Sequence, residues 1–401
     1  GRQFNGVGAR LACQMQSLDE LRHVQTQIHA MSHYNKFFDG FDEFTHMHDR
    51  VWYLSVPKSF FDDARSAGPF EYMVAIGFSF EYVLTNLLFV PFMSGAAHNG
   101  DMATVTFGFS AQSDEARHMT LGLEVIKFIL EQHEDNLPIV QQWIDKWVWR
   151  GYRVLTLVGM MMDYMLPNKV MSWKEAWEVY FEEAGGSLFK DLERYGVKIP
   201  DYIDTITKEK EHLSHQAWWI FYNYTHAAAF HTWIPNESEL DWLSEKYPDT
   251  FDKYYRPRYE LAAQMEKDGN RFYSPGLPQL CQVCQIPMGF TEMDDPTLIC
   301  YRDSVYQDER FHFCSDPCKA IFDNEPEKYV HAWLPVHQIF QGNCGGGGLD
   351  KVIEYYHLAD GEANLDFKGS PDEKRWNEWQ GTQPDVAFDS LSQPKVKGSA
   401  P

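Results

Sequence analysis

Positive charge is scarce in this chain: 35 lysines and arginines face 58 aspartates and glutamates, a net charge of −23 over 401 residues. That balance repels phosphate backbones and anionic membrane surfaces, so nucleic acid is not expected as a ligand. Long unbroken apolar runs are also missing. The longest, Met73 to Ala97, carries Glu81 and Asn86 in its middle. No window of about 18 residues is free of polar groups, and a membrane span is not expected. The chain opens at Gly1 without Met, a basic stretch or an apolar leader, and reads as a fragment that has no signal peptide and lacks its true beginning. No glycine-rich turn offers a dinucleotide site. Seven cysteines are an odd number, and four fall in two tight pairs. This suits metal binding in a reducing compartment better than a disulfide framework, and the cytoplasm is the expected location.

What is present is core-forming. Hydrophobic residues make up 44% of the chain and aromatic ones 15%, which excludes disorder over most of its length. At about 100–200 residues per domain, the length allows two or three domains. From residue 11 to about 270, apolar residues recur at spacings of three and four, the period of an amphipathic helix. Segments 17–38, 70–95, 99–131, 137–165, 172–194 and 209–230 are each expected to be helical. Near Pro275 the composition turns to paired cysteines, short aromatic runs and turn residues. The expected division is an all-α helical domain over 1–274, a small cysteine module over 275–335 and a polar C-terminal extension over 336–401.

One pentapeptide pattern occurs twice: Asp19-Glu20-Leu21-Arg22-His23 and Asp114-Glu115-Ala116-Arg117-His118. In a helix, residues i and i+3 share a face, so each copy presents a carboxylate and an imidazole toward one point. Two such helices facing each other offer one of each to two metal ions, the plan of di-iron carboxylate bundles, in which each of the two remaining helices adds an inward Glu. Glu81, set in the apolar stretch Phe78 to Leu84, is the candidate for one of these, because a buried carboxylate needs a cation nearby. Carboxylates are hard donors that can shift as iron changes oxidation state, while imidazoles hold each ion without neutralising it. A metal-bound His usually donates its other ring N–H to a carboxylate, which makes Asp19 and Asp114, with Arg22 and Arg117 to hold them, candidate supports.

The bare Glu-x-x-His pattern also occurs at Glu43/His46 and Glu209/His212, so the four-residue spacing alone says little. Asp42-Glu43-Phe44-Thr45-His46 lacks only the Arg, but its neighbours Asp39, Asp42 and Asp49 suggest an exposed segment. Gly108, Gly122 and the methionines at 160–162 read as packing features rather than a cofactor site. Farther along, Cys281-x-x-Cys284 and Cys314-x-x-x-Cys318 form two knuckles whose four thiolates suit a tetrahedral structural zinc. The alternatives are reduced, metal-free turns or a redox dithiol. Cys13, Cys300 and Cys344 are expected to be packed thiols.

On these residues the chain resembles the large (alpha) subunits of bacterial multicomponent phenol hydroxylases, in the family of soluble di-iron monooxygenases that includes the toluene and methane monooxygenases. The resemblance implies a ferritin-like di-iron bundle. It makes Glu20, His23, Glu81, Glu115 and His118 iron ligands, and has the Asp and Arg of each pentapeptide brace the histidine of the other. It also implies that Thr85 is a pocket hydroxyl handling protons during O2 activation, and that Phe80 and Phe89 line the aromatic-substrate cavity. Asn86 and Gln112 would lie near the face where a regulatory protein docks. The family's sixth ligand is a Glu on a helix before the first pentapeptide, yet residues 1–18 hold no acidic residue. A bundle without that helix is expected to expose apolar surface. The run Phe313-Cys314-Ser315-Asp316-Pro317-Cys318 resembles the YHS/TRASH type of treble-clef metal module, which steers the substrate toward phenols.

The expected activity is therefore hydroxylation of phenol and methylphenols to catechols with O2, with electrons from NADH passed through a separate flavin and iron–sulfur reductase. The implied partners are beta and gamma subunits, a second copy of the trio, that reductase and a small regulatory protein. A toluene or benzene monooxygenase alpha subunit is the nearest alternative. Iron-storing bundles are shorter and lack a cysteine module, and a non-catalytic scaffold subunit predicts broken pentapeptides. A radical-generating subunit needs a tyrosine at the centre, where Tyr82 is expected to point away from the Glu81 face.

Overall fold

The computed structural model describes residues 4–37, 55–224, 233–269, 280–288, 302–330 and 332. These fall into two compact units, Gly1–Ala30 with Ser59–Ser214, and Met31–Lys58 with His215–Pro401. The C-terminal extension, Cys300, Cys344 and the Glu43/His46 segment lie outside the described residues.

Helices dominate the first unit. Helix α1 spans Val7–Tyr34 and starts ten residues earlier than the periodicity suggests. The segment between holds Ala, Leu, Arg, Gln and Met and no proline, all strong helix formers. Helix α2 (Ser55–Ser66) precedes a continuous rod in which α3 (Pro69–Tyr72) runs into a π-helix, π1 (Met73–Leu84), and then α4 (Thr85–His98). Helix α5 (Met102–Gln132) begins at Asp101, whose side chain accepts the Thr104 N–H at 3.1 Å. Its buried face runs Val105, Gly108, Ala111, Glu115, His118, Gly122 and Val125, a three-and-four rhythm that aims one stripe at the interior. Helix α6 is Asn136–Val154. The helix expected over 137–165 breaks after it and resumes as Thr156–Met160 and a π-turn at Met161–Met165.

The core of this unit joins the apolar face of π1 (Val74, Ala75, Phe78) to Trp147, Val148, Trp149 and Tyr152 of α6 and to Trp173 and Trp177. Buried charges inside it are paired, as burial demands. Arg150 pairs with Asp63. Lys146 and Trp147 both donate to Glu71, at 3.2 and 3.0 Å. Arg153 forms a bidentate pair with Glu209, at 2.6 and 3.0 Å, and lies 4.3 Å over the Trp149 ring. The Glu209-x-x-His212 decoy is thus accounted for by a structural ion pair.

The second unit holds helices Glu237–Lys246, Phe251–Tyr254 and Arg256–Lys267. His215 is buried against Tyr247 and Tyr255, with ring centroids 4.3 and 4.8 Å away. It also contains an antiparallel hairpin, β1 (Arg302–Tyr306) and β2 (Glu309–Phe313), followed by a helix over Asp316–Asn324. Phe311 and Phe313 of β2 both pack on Phe322, at 4.9 Å.

Candidate metal centres

Three elements of the first unit converge on one cluster. Helix α1 brings Glu20 and His23, π1 brings Glu81, and α5 brings Glu115 and His118. His23, Glu81, Glu115 and His118 are buried. The π-helical turn in π1 is itself a mark of function, since its ladder is less favourable than that of an α-helix.

Each imidazole turns Nδ1 toward the cluster and Nε2 away from it. His118 Nδ1 lies 2.9 Å from Glu115 Oε2, 3.2 Å from Glu20 Oε1 and 3.7 Å from Glu81 Oε1. His23 Nδ1 lies 3.3 Å from Glu20 Oε2 and 3.5 Å from Glu115 Oε1. Glu20 and Glu115 therefore each direct one oxygen to one imidazole and the other oxygen to the other. That is the disposition two carboxylates need to bridge a pair of ions, each ion carrying one histidine. Ligand atoms of Glu20, Glu81, Glu115 and His118 all lie within 4.8 Å of one another.

On the far side, His23 Nε2 reaches Asp114 Oδ2 at 3.0 Å and His118 Nε2 reaches Asp19 Oδ2 at 3.3 Å. Each pentapeptide supplies the carboxylate for the other's histidine. Arg22 pairs with Asp114, while Arg117 donates to Asp19 at 2.9 Å and to Asp114 at 2.6 Å. Fixing Nε2–H as a donor leaves the Nδ1 lone pair for a metal.

The electrostatics ask for positive charge. Burial, reinforced by the charge of Glu115, raises Glu81 well above the usual carboxylate range. Burial alone would lower His118, but its hydrogen bonds to Glu115 and Glu20 and the charge of Glu81 outweigh burial and push it up to about 10. For Asp19, burial opposes ionisation, yet hydrogen bonds from Arg117 and His118 hold it below the ordinary value. The donor types of the cluster, O-rich with two imidazoles, fit a pair of iron ions, whose charge would offset the burial of Glu81.

Glu20 departs from an enclosed centre: its side chain is 49% exposed. The described elements cover only Cys13, Asp19 and His23 of α1. Val7, Leu11, Met15, Leu18, Leu21, Val24 and Ile28 form an exposed apolar stripe along the same helix.

The second cluster belongs to the second unit. Cys281, Cys284, Cys314 and Cys318 are buried and offer four sulfurs within 4.8 Å of one another. Cys314 Sγ lies 3.6 Å from Cys284 Sγ and 3.7 Å from Cys318 Sγ. A tetrahedral zinc with bonds of about 2.3 Å spaces its sulfurs about 3.8 Å apart, whereas a disulfide needs about 2.05 Å. Burial pushes the Cys284 and Cys318 thiols well up. For Cys281 burial is outweighed by hydrogen bonds from its three neighbours, which hold it well down. Four buried sulfurs this close together form a donor set that a dication would satisfy.

A family model described as methane/phenol/alkene hydroxylase matches residues 1–133, and a YHS domain model matches 291–333. The chain is 69% identical, over 96% of its length and 75% of the relative's, to the phenol 2-monooxygenase oxygenase component of Pseudomonas sp. strain CF600. It superposes on the crystal structure of phenol hydroxylase from Pseudomonas sp. OX1 with a TM-score of 0.84 and 72% identity, covering 94% of this chain and 77% of that one. The alkene monooxygenase alpha subunit of Xanthobacter autotrophicus is 30% identical over 85% of the chain and 68% of that subunit. The chain belongs to the methane/phenol/alkene hydroxylase family. These relatives are oxygenase components of multicomponent monooxygenases, and the helical di-iron fold expected from the pentapeptides is the fold found. Among the described residues no helix is long and apolar enough to cross a membrane.

Against this hydroxylase frame, the remaining expected positions are placed unevenly. Phe80 packs on Phe60 and Phe61, at 5.4 and 5.3 Å. Phe89 packs on Phe107, at 6.2 Å. Gln112 is half-buried on α5. Thr85 and Asn86 sit in the first turn of α4, and their side chains lie outside the described residues. Tyr82 stacks on Phe78 at 5.5 Å. Two residues escaped the sequence reading. Gln16 donates to Glu81 Oε1 at 3.1 Å; it stands one helical turn before Glu20, a spacing that could have flagged it. Phe107 meets His23 edge-on at 6.3 Å.

Proposed function

We propose that this chain is the catalytic large subunit of a multicomponent phenol hydroxylase, converting phenol and methylphenols to catechols. In balanced form, the phenol, O2, NADH and a proton give the catechol, NAD+ and water. When bound, a pair of ferrous ions supplies the electrons that reduce O2, and one oxygen atom enters the ring. The chain's own residues would hold that pair: Glu20, Glu81, Glu115, His23 and His118 would supply the ligand atoms, the two histidines through Nδ1, while Asp19 and Asp114 keep both rings in the required tautomer.

Phe80 and Phe89 supply apolar walls for a planar aromatic ring, and Thr85 a hydroxyl that relays protons. Asn86 and Gln112 mark the face for a regulatory protein. The four cysteines hold a structural zinc. Electrons reach the centre from NADH through a separate flavin and iron–sulfur reductase. Beta and gamma subunits, doubled, complete the complex in the cytoplasm. The observation that carries the reading is the crossed arrangement of two Glu-x-x-His pairs around Glu81, on a chain 69% identical to a phenol 2-monooxygenase component.

The test uses the assembled oxygenase. Iron near two per large subunit is expected, and Glu115→Ala should cut it by half or more and abolish catechol formation. Full activity in that variant would sink the ligand assignment.

A further inference from the structure

The π1 rod and α5 cross at two glycines. A Cβ built on Gly122 would lie 2.7 Å from both Cα and O of Gly77, and one built on Gly77 would lie 2.8 Å from Gly122 Cα. The Gly77 carbonyl carbon would be closer still; ordinary carbon contacts are about 3.5–4.0 Å, so any side chain at Gly122 requires the two backbones to separate by about an ångström or more. Helix propensity alone would favour alanine at both positions; close approach is what glycine provides here.

The position of this contact matters. Gly77 stands one turn before Glu81. Gly122 stands one turn after His118 and two turns after Glu115, on the same face of α5. We infer that the Gly77–Gly122 contact is the spacer that sets how far the Glu81 carboxylate stands from Glu115 and His118, and so positions the metal centre. The 3.7 Å approach of Glu81 Oε1 to His118 Nδ1 depends on it. A metal site tolerates errors of about half an ångström in its ligands, less than a Cβ would impose. The contact acts through the ligands and touches no substrate. This inference rests on the di-iron reading above.

Gly108, also on α5, provides the control. The three nearest contacts of a Cβ there are all side-chain atoms of Met93, its Cγ and Sδ first, so the overlap calls for a new Met93 rotamer rather than a separation of two backbones. The experiment titrates cobalt(II) into the full, zinc-supplemented protein and reads its ligand-field absorption, alongside far-UV circular dichroism and melting of the metal-free form. Gly122→Ala is expected to stay helical, bind cobalt at least tenfold more weakly and show an altered spectrum. Gly108→Ala is expected to bind within twofold of wild type, whatever its melting temperature. If Gly122→Ala does not fold, Gly77→Ala, with its milder overlap, carries the same comparison. A folded variant at Gly122 or Gly77 with wild-type affinity and spectrum overturns the inference, as does equal weakening by Gly108→Ala. Wild-type protein that took up no cobalt at this cluster would remove the di-iron reading, and the inference with it.

Discussion

Asp114 shows what a single side chain contributes without touching metal. It accepts from His23 at 3.0 Å, from Arg117 at 2.6 Å and from Arg22, and it is almost fully buried. Asp114→Asn keeps the shape but turns one acceptor oxygen into a donor, so the His23 ring loses its fixed tautomer or its partner. Loss of such an outer carboxylate typically weakens metal binding about 10–100-fold. We expect iron affinity to fall in that range while the helical signal stays intact; iron retention on dialysis against a weak chelator measures it. These residues were legible because i, i+3 spacing in a helix is a strong rule, and because Glu81 had no other reason to sit in an apolar run. That the pentapeptides exchange partners across helices is a tertiary fact, which sequence periodicity does not contain. Gln16 was missed for the same reason: on α1 it looks like one polar side chain among many until the 3.1 Å bond to Glu81 is seen.

Among the elements, helices were legible to within a few residues where apolar spacing was strong, as for Met102–Gln132. The π-helical form of Met73–Leu84 was not, because a segment apolar on every side carries no periodic signal to distinguish a wider turn from an ordinary one. The hairpin was equally hidden. Its turn is Gln307-Asp308, both at positive φ (50° and 66°), where Asn-Gly would announce such a turn. The first cysteine knuckle shares this trait: Gln285, directly after Cys284, has φ 59° while its N–H bonds the Cys281 carbonyl at 2.9 Å. A left-handed conformation costs a residue with a Cβ about 1–2 kcal/mol. Gln285→Gly should recover about 1 kcal/mol in the knuckle and slow zinc loss to a competing chelator. Unchanged or faster zinc release would show that the Gln285 side chain contributes more than its backbone costs.

Taken as a whole molecule, the chain places its two candidate metal clusters in different compact units. Glu20, Glu81, Glu115 and His118 fall in the first, the four cysteines in the second. The acidic composition argues against nucleic acid as a ligand, but net charge is blind to this division, which arises from which segments share a core. A small module that, among the described residues, has a two-stranded sheet and two short helices has little apolar area to bury, so a metal at its four cysteines would carry much of its stability. The helical unit, with a core of buried tryptophans and paired buried charges, would gain from iron only the ligand-linkage stabilisation that any tight-binding ion gives. The two metals should therefore be separable. In the assembled oxygenase, the double change Cys284→Ser with Cys318→Ser is expected to remove zinc and the cooperative melting of the module, while iron stays near two per chain. Metal analysis beside calorimetry reads both quantities on one sample. Zinc retained by that double variant would rule out the four-cysteine cage, and iron lost along with zinc would mean that the module helps to build the iron centre.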